Sequence, residues 1–219
     1  MYFAILFSKS IYIMAFRQGL AKEKSLRNKN DEYITPTSMV QQLIDTHYIS
    51  KFNTILEPCC STHKTIPNTL RKNGFTNITE NIMTEDGIDF MEWDCSKKFD
   101  TIITNIPYGI KNFVRFMTKM KQVAKEEIIC LFPMNYLNGK ERYRFYQDKD
   151  FPLSAIYPFS RYSLITEEAQ DKYKGGMALY GWYVFKKGYS GNCIMKQINN
   201  DPYIITDKRG AYKQYSCIL

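Results

Sequence analysis

Apolar residues recur along this chain in short blocks whose spacing switches between helical and extended periods. Met39, Val40, Leu43 and Ile44 fall on one helical face, with Thr37 or Ser38 placed to cap it and Thr35-Pro36 fixing an extended approach. Thr54 to Glu57 reads as a first buried strand, and the helix after it runs to about Asn73 and stops at Gly74. A second strand lies near Asn77 to Ile82. The third, Phe99 to Thr104, carries adjacent β-branched Ile102 and Ile103, and Pro107 ends the run before a helix can form. Phe113, Phe116, Met117 and Met120 mark the core face of another helix. Ile128 to Phe132 is a further buried strand, while Leu153 to Pro158 and Ala178 to Lys186 alternate as an antiparallel edge pair does. Read together, these elements predict an open α/β sheet.

Length and charge narrow this picture. At 219 residues the chain suits one domain with a substantial core, and it contains no internal repeat or low-complexity tract. Residues 1–30 are expected to be a mobile or helical extension, 31–199 the functional domain and 200–219 a tail, with 1–13 lying upstream of the true start. Met1 to Phe16 is apolar, but Lys9 interrupts it, it is too short to span a bilayer, and it lacks the basic start and cleavage site of a signal peptide. A cytoplasmic chain with no membrane partner is expected, in the host cytoplasm if the source is viral. The net charge of +8 with 17 tyrosines favours a nucleic-acid partner, although a Tyr-rich core under a solvated basic surface would give the same composition. The six cysteines show no repeated CxxC spacing, which fits reduced thiols. Cys59, Cys60 and His63 lack a fourth ligand, so no metal is expected.

Candidate chemistry gathers after the strands, where open α/β sheets place their ligands. Behind Phe99 to Thr104 comes Asn105-Ile106-Pro107-Tyr108-Gly109, which supplies an amide with donor and acceptor, a rigid turn and a flat ring. Such a set can hold a planar base with an exocyclic amine; the same residues also read as an ordinary strand-end turn. Glu80 and Asn81 end the second strand, where a carboxylate can accept from ribose hydroxyls. Asp89 can accept from an adenine amine while Phe90 packs on its ring, and each acid also reads as a solvated loop carboxylate.

In order, Tyr33-Ile34-Thr35-Pro36, Leu56-Glu57-Pro58-Cys59, Glu80 or Asn81, Asp89-Phe90 and Asn105-Ile106-Pro107-Tyr108 resemble the motifs of S-adenosylmethionine-dependent adenine-N6 DNA methyltransferases, especially the compact phage-type forms. Tyr180-Gly181-Trp182-Tyr183-Val184-Phe185 looks like their terminal strand, so the resemblance covers about Asp31 to Ile198. It implies a Rossmann-like class I methyltransferase fold: a mostly parallel seven-stranded central sheet with an antiparallel edge strand and helices on both faces. It also implies S-adenosylmethionine as cofactor. Thr35 and Pro36 would border its methionine end, Glu57, Pro58 and Cys59 would form its loop, Glu80 or Asn81 would hold the ribose, and Asp89 with Phe90 the adenine. Asn105, Ile106, Pro107 and Tyr108 would hold the target base, taken single-stranded or flipped from the duplex.

Two features depart from the family pattern. Ser61, Thr62 and His63 stand where Gly-x-Gly is usual, and side chains there are expected to restrict the tight turn and positive φ that glycine allows. Ile106 replaces a proline, a variant similar to that of ribosomal-RNA adenine dimethyltransferases, so RNA stays open beside DNA as the substrate. A non-catalytic nucleic-acid-binding protein on a degenerate methyltransferase fold and a protein-glutamine methyltransferase are the further alternatives. Sequence selection is expected from Asn138 to Asp150, from the Arg161 to Gly176 loop or from a partner, with Arg142, Arg144 and Arg161 as candidate phosphate contacts.

Overall fold

A computed structural model of the chain describes residues 35–82, 87–160 and 179–198, together with the backbone of two strands at 204–206 and 212–214. The expected extension at 1–30, Tyr33-Ile34, the Arg161 to Gly176 loop and most of the 200–219 tail lie outside the described residues.

Seven strands form one sheet: β1 (Ile55–Glu57), β2 (Ile78–Glu80), β3 (Phe99–Thr104), β4 (Ala124–Pro133), β5 (Leu153–Pro158), β6 (Tyr180–Lys186) and β7 (Ile194–Met195), in the spatial order β2-β1-β3-β4-β6-β5-β7. The pairs β1/β2, β1/β3, β3/β4 and β5/β7 are parallel. Only β6 is reversed, running antiparallel to β4 on one side and β5 on the other. A separate antiparallel hairpin joins β8 (Ile204–Thr206) to β9 (Tyr212–Gln214). The mostly parallel sheet with an antiparallel pair towards one edge is the predicted fold class.

Among the described residues the α-helices are α1 (Thr37–Thr46), α2 (Thr65–Lys72), α3 (Ile110–Val123) and α4 (Lys140–Tyr146). They cover both faces of the sheet. On one face Met39, Val40 and Leu43 of α1 and Ile66 and Leu70 of α2 pack with Ile55, Ile103, Ile129 and Trp182. On the other, Phe113, Met117 and Met120 of α3 pack with Leu56, Ile102, Ile128 and Cys130. Side chains alternate across a strand, so adjacent Ile102 and Ile103 each enter a different core layer. That explains an apolar run with no polar alternation: both faces are buried. Fully burying side chains of this size contributes roughly 1.5–3 kcal/mol each.

Two boundaries differ from the sequence reading. Neither Thr37 nor Ser38 caps α1. The cap is Pro36, extended at φ −61° and ψ 140°, with no side-chain cap hydrogen bond. Ser38 lies one residue inside the helix, with its hydroxyl buried and without a hydrogen-bond partner among the described residues. Strand β4 begins at Ala124, directly after α3, four residues before the expected start at Ile128. Gly74 does terminate α2 as expected, with φ +82°.

From β1 the chain moves to β2 on one side and then crosses to β3 on the other. The crevice outside the carboxyl ends of β1 and β3 is therefore the topological switch point, where doubly wound sheets bind ligands.

Candidate functional site

The end of β1 and the end of β3 bring the first group of residues together. Glu57 is the last residue of β1 and is 1% exposed. Its Oε1 accepts from the Thr104 hydroxyl at 2.7 Å and from the Cys59 amide at 3.2 Å. Its Oε2 is buried and has no hydrogen-bond partner among the described residues. Burial pushes the Glu57 carboxyl up to about 8, against the smaller opposing effect of those two donors. Burial, reinforced by the Glu57 charge, also holds the Cys59 thiol far above its ordinary range and pushes Cys60 up to about 12. Both cysteines are thus neutral thiols near neutral pH and poor nucleophiles or metal ligands.

One residue beyond Thr104, the Asn105 amide is held from two sides. Its Nδ2 donates to Thr35 Oγ1 at 3.2 Å, and its Oδ1 accepts from the Tyr108 hydroxyl at 2.8 Å. Thr35 is buried just before α1, so the first helix and the third strand meet at this amide. Ile106 is buried in the core, which anchors the turn from below. The Tyr108 ring is half-buried between Tyr136, edge-on at 6.2 Å, and Tyr180 at 5.9 Å. The predicted set Thr35, Glu57, Cys59, Asn105 and Tyr108 therefore meets at the carboxyl ends of β1 and β3, joined by Thr104, a strand residue with no role expected from the sequence.

The loop after Glu57 closes without glycine. Its left-handed residue is Lys64, at φ +51°, the one non-glycine with positive φ among the described residues. The Lys64 amide donates back to the Ser61 carbonyl at 3.0 Å, so Ser61, Thr62 and His63 make the turn without positive φ, in keeping with the restriction their side chains impose. A side-chain-bearing residue in this conformation costs roughly 1–2 kcal/mol. The loop is also tied to β2, through Cys60 N to Asn81 O at 3.1 Å and Asn81 N to Glu57 O at 3.0 Å.

The residues after β2 play different parts. Asn81 is a clamp: its Nδ2 donates to the carbonyls of Pro58 and Ile88, and its Oδ1 accepts from the Ile88 amide at 3.2 Å. Gly87 permits this closeness, since a Cβ there would lie 2.3 Å from the Ile82 carbonyl oxygen. Glu80 takes Lys64 at 3.1 Å and Arg71 at 3.0 Å. Partial burial raises its pKa, but those two cations outweigh it and hold the carboxyl below its usual range. Asp89 is exposed and accepts from the Met91 amide at 2.9 Å. Phe90 faces inward, stacked on Phe116 at 6.1 Å.

Of the candidate phosphate contacts, exposed Arg144 pairs with Glu141 at 3.5 Å, Arg142 lies over the Tyr136 ring, and Arg161 is outside the described residues. Among the described residues no three His, Cys, Asp or Glu side chains gather as a metal site, and no helix is long and apolar enough to cross a membrane.

No protein-family model and no curated protein matches the sequence. Solved structures do. A Listeria monocytogenes protein assigned to the class I S-adenosylmethionine-dependent methyltransferases is 12% identical, with TM-score 0.53 over 84% of this chain and 72% of its own. The methyltransferase subunit of a type I restriction-modification system from Streptococcus thermophilus is 9% identical, with TM-score 0.56 over 84% of this chain and 51% of its own. The modification subunit of an assigned type I restriction enzyme of Vibrio vulnificus is 12% identical, with TM-score 0.53 over 93% of this chain and 54% of its own. The chain thus spans about half the length of these two subunits. Its fold is the Rossmann-like fold of the class I methyltransferases.

Proposed function

We propose that this chain is an S-adenosylmethionine-dependent methyltransferase acting on the exocyclic N6 amine of adenine in DNA. The observation that carries the reading is the Asn105 amide, fixed by Thr35 and Tyr108 at the carboxyl end of β3, beside the buried Glu57 of β1.

The crevice fits the cofactor. Glu57 Oε2, buried and without a hydrogen-bond partner among the described residues, is suited to a cationic group such as an α-ammonium, whose charge would favour the carboxylate over the protonated acid. Thr35, Pro36, Glu57, Pro58 and Cys59 would hold the methionine end. Glu80 and Asn81 would serve the ribose, Asn81 by setting the Pro58 and Ile88 main chain, with Asp89 and Phe90 bordering the adenine. When bound, S-adenosylmethionine supplies an electrophilic methyl group.

The chain's residues do the positioning. Asn105 Oδ1 and the Ile106 main-chain carbonyl accept the two N–H groups of the amine, which leaves the nitrogen lone pair directed at the methyl group. Tyr108 gives up its hydrogen bond to Asn105 and stacks on the base, a contact worth about 1–3 kcal/mol in single-strand binders. The base is extruded or taken single-stranded, since its amine cannot reach the crevice inside a duplex. Geometry of this kind supplies most of the acceleration in a direct transfer. The net charge of +8 suits a polyanion, and the restriction-system subunits among the structural neighbours favour DNA over RNA.

A second reading, non-catalytic nucleic-acid binding, is motivated by the loop that closes on Lys64 without glycine. Calorimetric titration with S-adenosylmethionine, followed by parallel methyl-transfer assays on DNA and RNA, separates the two. Measurable binding and labelled DNA support the proposal. No binding heat and no thermal shift favour the second reading, and labelled RNA alone moves the substrate to RNA.

A further inference from the structure

Tyr136 belongs to the short turn after β4, not to the Asn105–Gly109 segment, yet that segment ends on it. The Gly109 amide donates to the Tyr136 hydroxyl oxygen at 2.7 Å, across 27 residues of chain. Gly109 sits at φ +122° and opens α3 with no side-chain cap, so its N–H takes its acceptor from outside the helix.

Every side of Tyr136 is held. Its ring stacks on Phe132 at 5.2 Å, meets Phe113 edge-on at 6.0 Å and meets Tyr108 edge-on at 6.2 Å. Its main-chain carbonyl accepts from the Tyr146 hydroxyl at 2.7 Å. The Arg142 guanidinium lies 4.1 Å from the ring centroid, in the range of a cation–π contact. Arg142 is anchored there by a hydrogen bond to the Asn138 carbonyl, while its Nε is buried with no hydrogen-bond partner among the described residues. Tyr108 is fixed on its other flank, where its carbonyl accepts from Asn112 Nδ2 at 3.2 Å.

We infer that Tyr136, seated by Arg142, is the positioning residue of the base-holding turn: its hydroxyl fixes the Gly109 amide and so sets the angle at which Tyr108 and Asn105 meet the substrate. This rests on the methyltransferase reading for its catalytic consequence, but not for its geometry. Tyr136 does not touch the reacting atoms; it acts through Gly109 and Tyr108. A tyrosine that merely filled the core would tolerate loss of its hydroxyl.

The test compares wild type, Tyr136→Phe, Arg142→Lys and Arg142→Gln in two assays. In the first, amide hydrogen exchange on peptides covering 105–113 is expected to accelerate about tenfold in Tyr136→Phe, the loss of one hydrogen bond, with β1 peptides unchanged. In the second, kcat for methyl transfer falls about ten- to hundredfold, while the cofactor Kd and the KM for DNA stay within about threefold. Arg142→Gln shifts both readouts in the same direction. Arg142→Lys, which keeps the charge but not the flat guanidinium, lies between. Unchanged exchange at 105–113 in Tyr136→Phe overturns the inference, as does a defect confined to KM. If wild type transfers no methyl group, the functional reading fails, and the exchange comparison still decides whether Tyr136 fixes the turn.

Discussion

The buried carboxyl at the end of β1 makes stability depend on pH in a window set by this one residue. Glu57 is 1% exposed, one of its oxygens has no hydrogen-bond partner among the described residues, and burial raises its pKa from 4.5 to about 8. A folded-state value above the unfolded one means that the native fold prefers the protonated acid. Its contribution is fully present below pH 4.5 and is lost as pH rises through about 8. At about 1.4 kcal/mol per pKa unit, ionising Glu57 in the fold costs on the order of 5 kcal/mol. Glu57→Gln keeps an acceptor for Thr104 and Cys59 but cannot ionise. Urea denaturation at pH 5.5, 7 and 8.5 should therefore show wild type losing stability across the series relative to Glu57→Gln, with the variant the more stable protein at pH 8.5. Glu80, Asp100 and Asp148 have lowered values, so their contributions are lost only as pH falls through the acid range, outside this window. Parallel stability curves for wild type and Glu57→Gln would refute the argument, because every other titrating group is common to the two proteins.

Two further substitutions probe the frame around the crevice. Tyr108→Phe removes the hydroxyl that occupies Asn105 Oδ1 but keeps the ring, so KM for DNA should fall or hold with kcat retained; Tyr108→Ala should weaken single-strand binding by about 1–3 kcal/mol in a fluorescence titration. At the opposite end of the sheet, His47 bridges Glu127 at 2.9 Å and the Tyr157 hydroxyl at 3.1 Å. His47→Ala leaves the buried Glu127 with Thr101 at 3.2 Å as its one side-chain partner among the described residues and should cost about 1–3 kcal/mol in urea unfolding, with cofactor affinity unchanged.

What was legible in the sequence follows from how local each signal is. Strand β3 and helix α3 were readable because Ile102 and Ile103 both enter core layers and because Phe113, Met117 and Met120 repeat at helical spacing. The convergence of Thr35, Glu57 and Asn105 followed from the order of the motifs and from strands that end at one crevice. Pairings across the fold left no local trace. Glu80 reads as a free acid until Lys64 and Arg71 are folded against it, and Phe90 reads as a free ring until Phe116 stacks on it. Lys64 took the left-handed position of the glycine-less loop because a single αL residue there closes the turn back to Ser61. Tyr136 carried no signal in the sequence, since its partner Gly109 lies on a different element.

If the Asn105 amide holds an adenine N6 amine for methylation, the methylated nucleoside itself reveals it. DNA incubated with the protein and methyl-labelled S-adenosylmethionine, then digested to nucleosides, should yield labelled N6-methyladenine from wild type and none above background from Asn105→Ala, whose cofactor Kd stays within about twofold of wild type. Equal N6-methyladenine from Asn105→Ala, or a label found on any other nucleoside, would contradict the account.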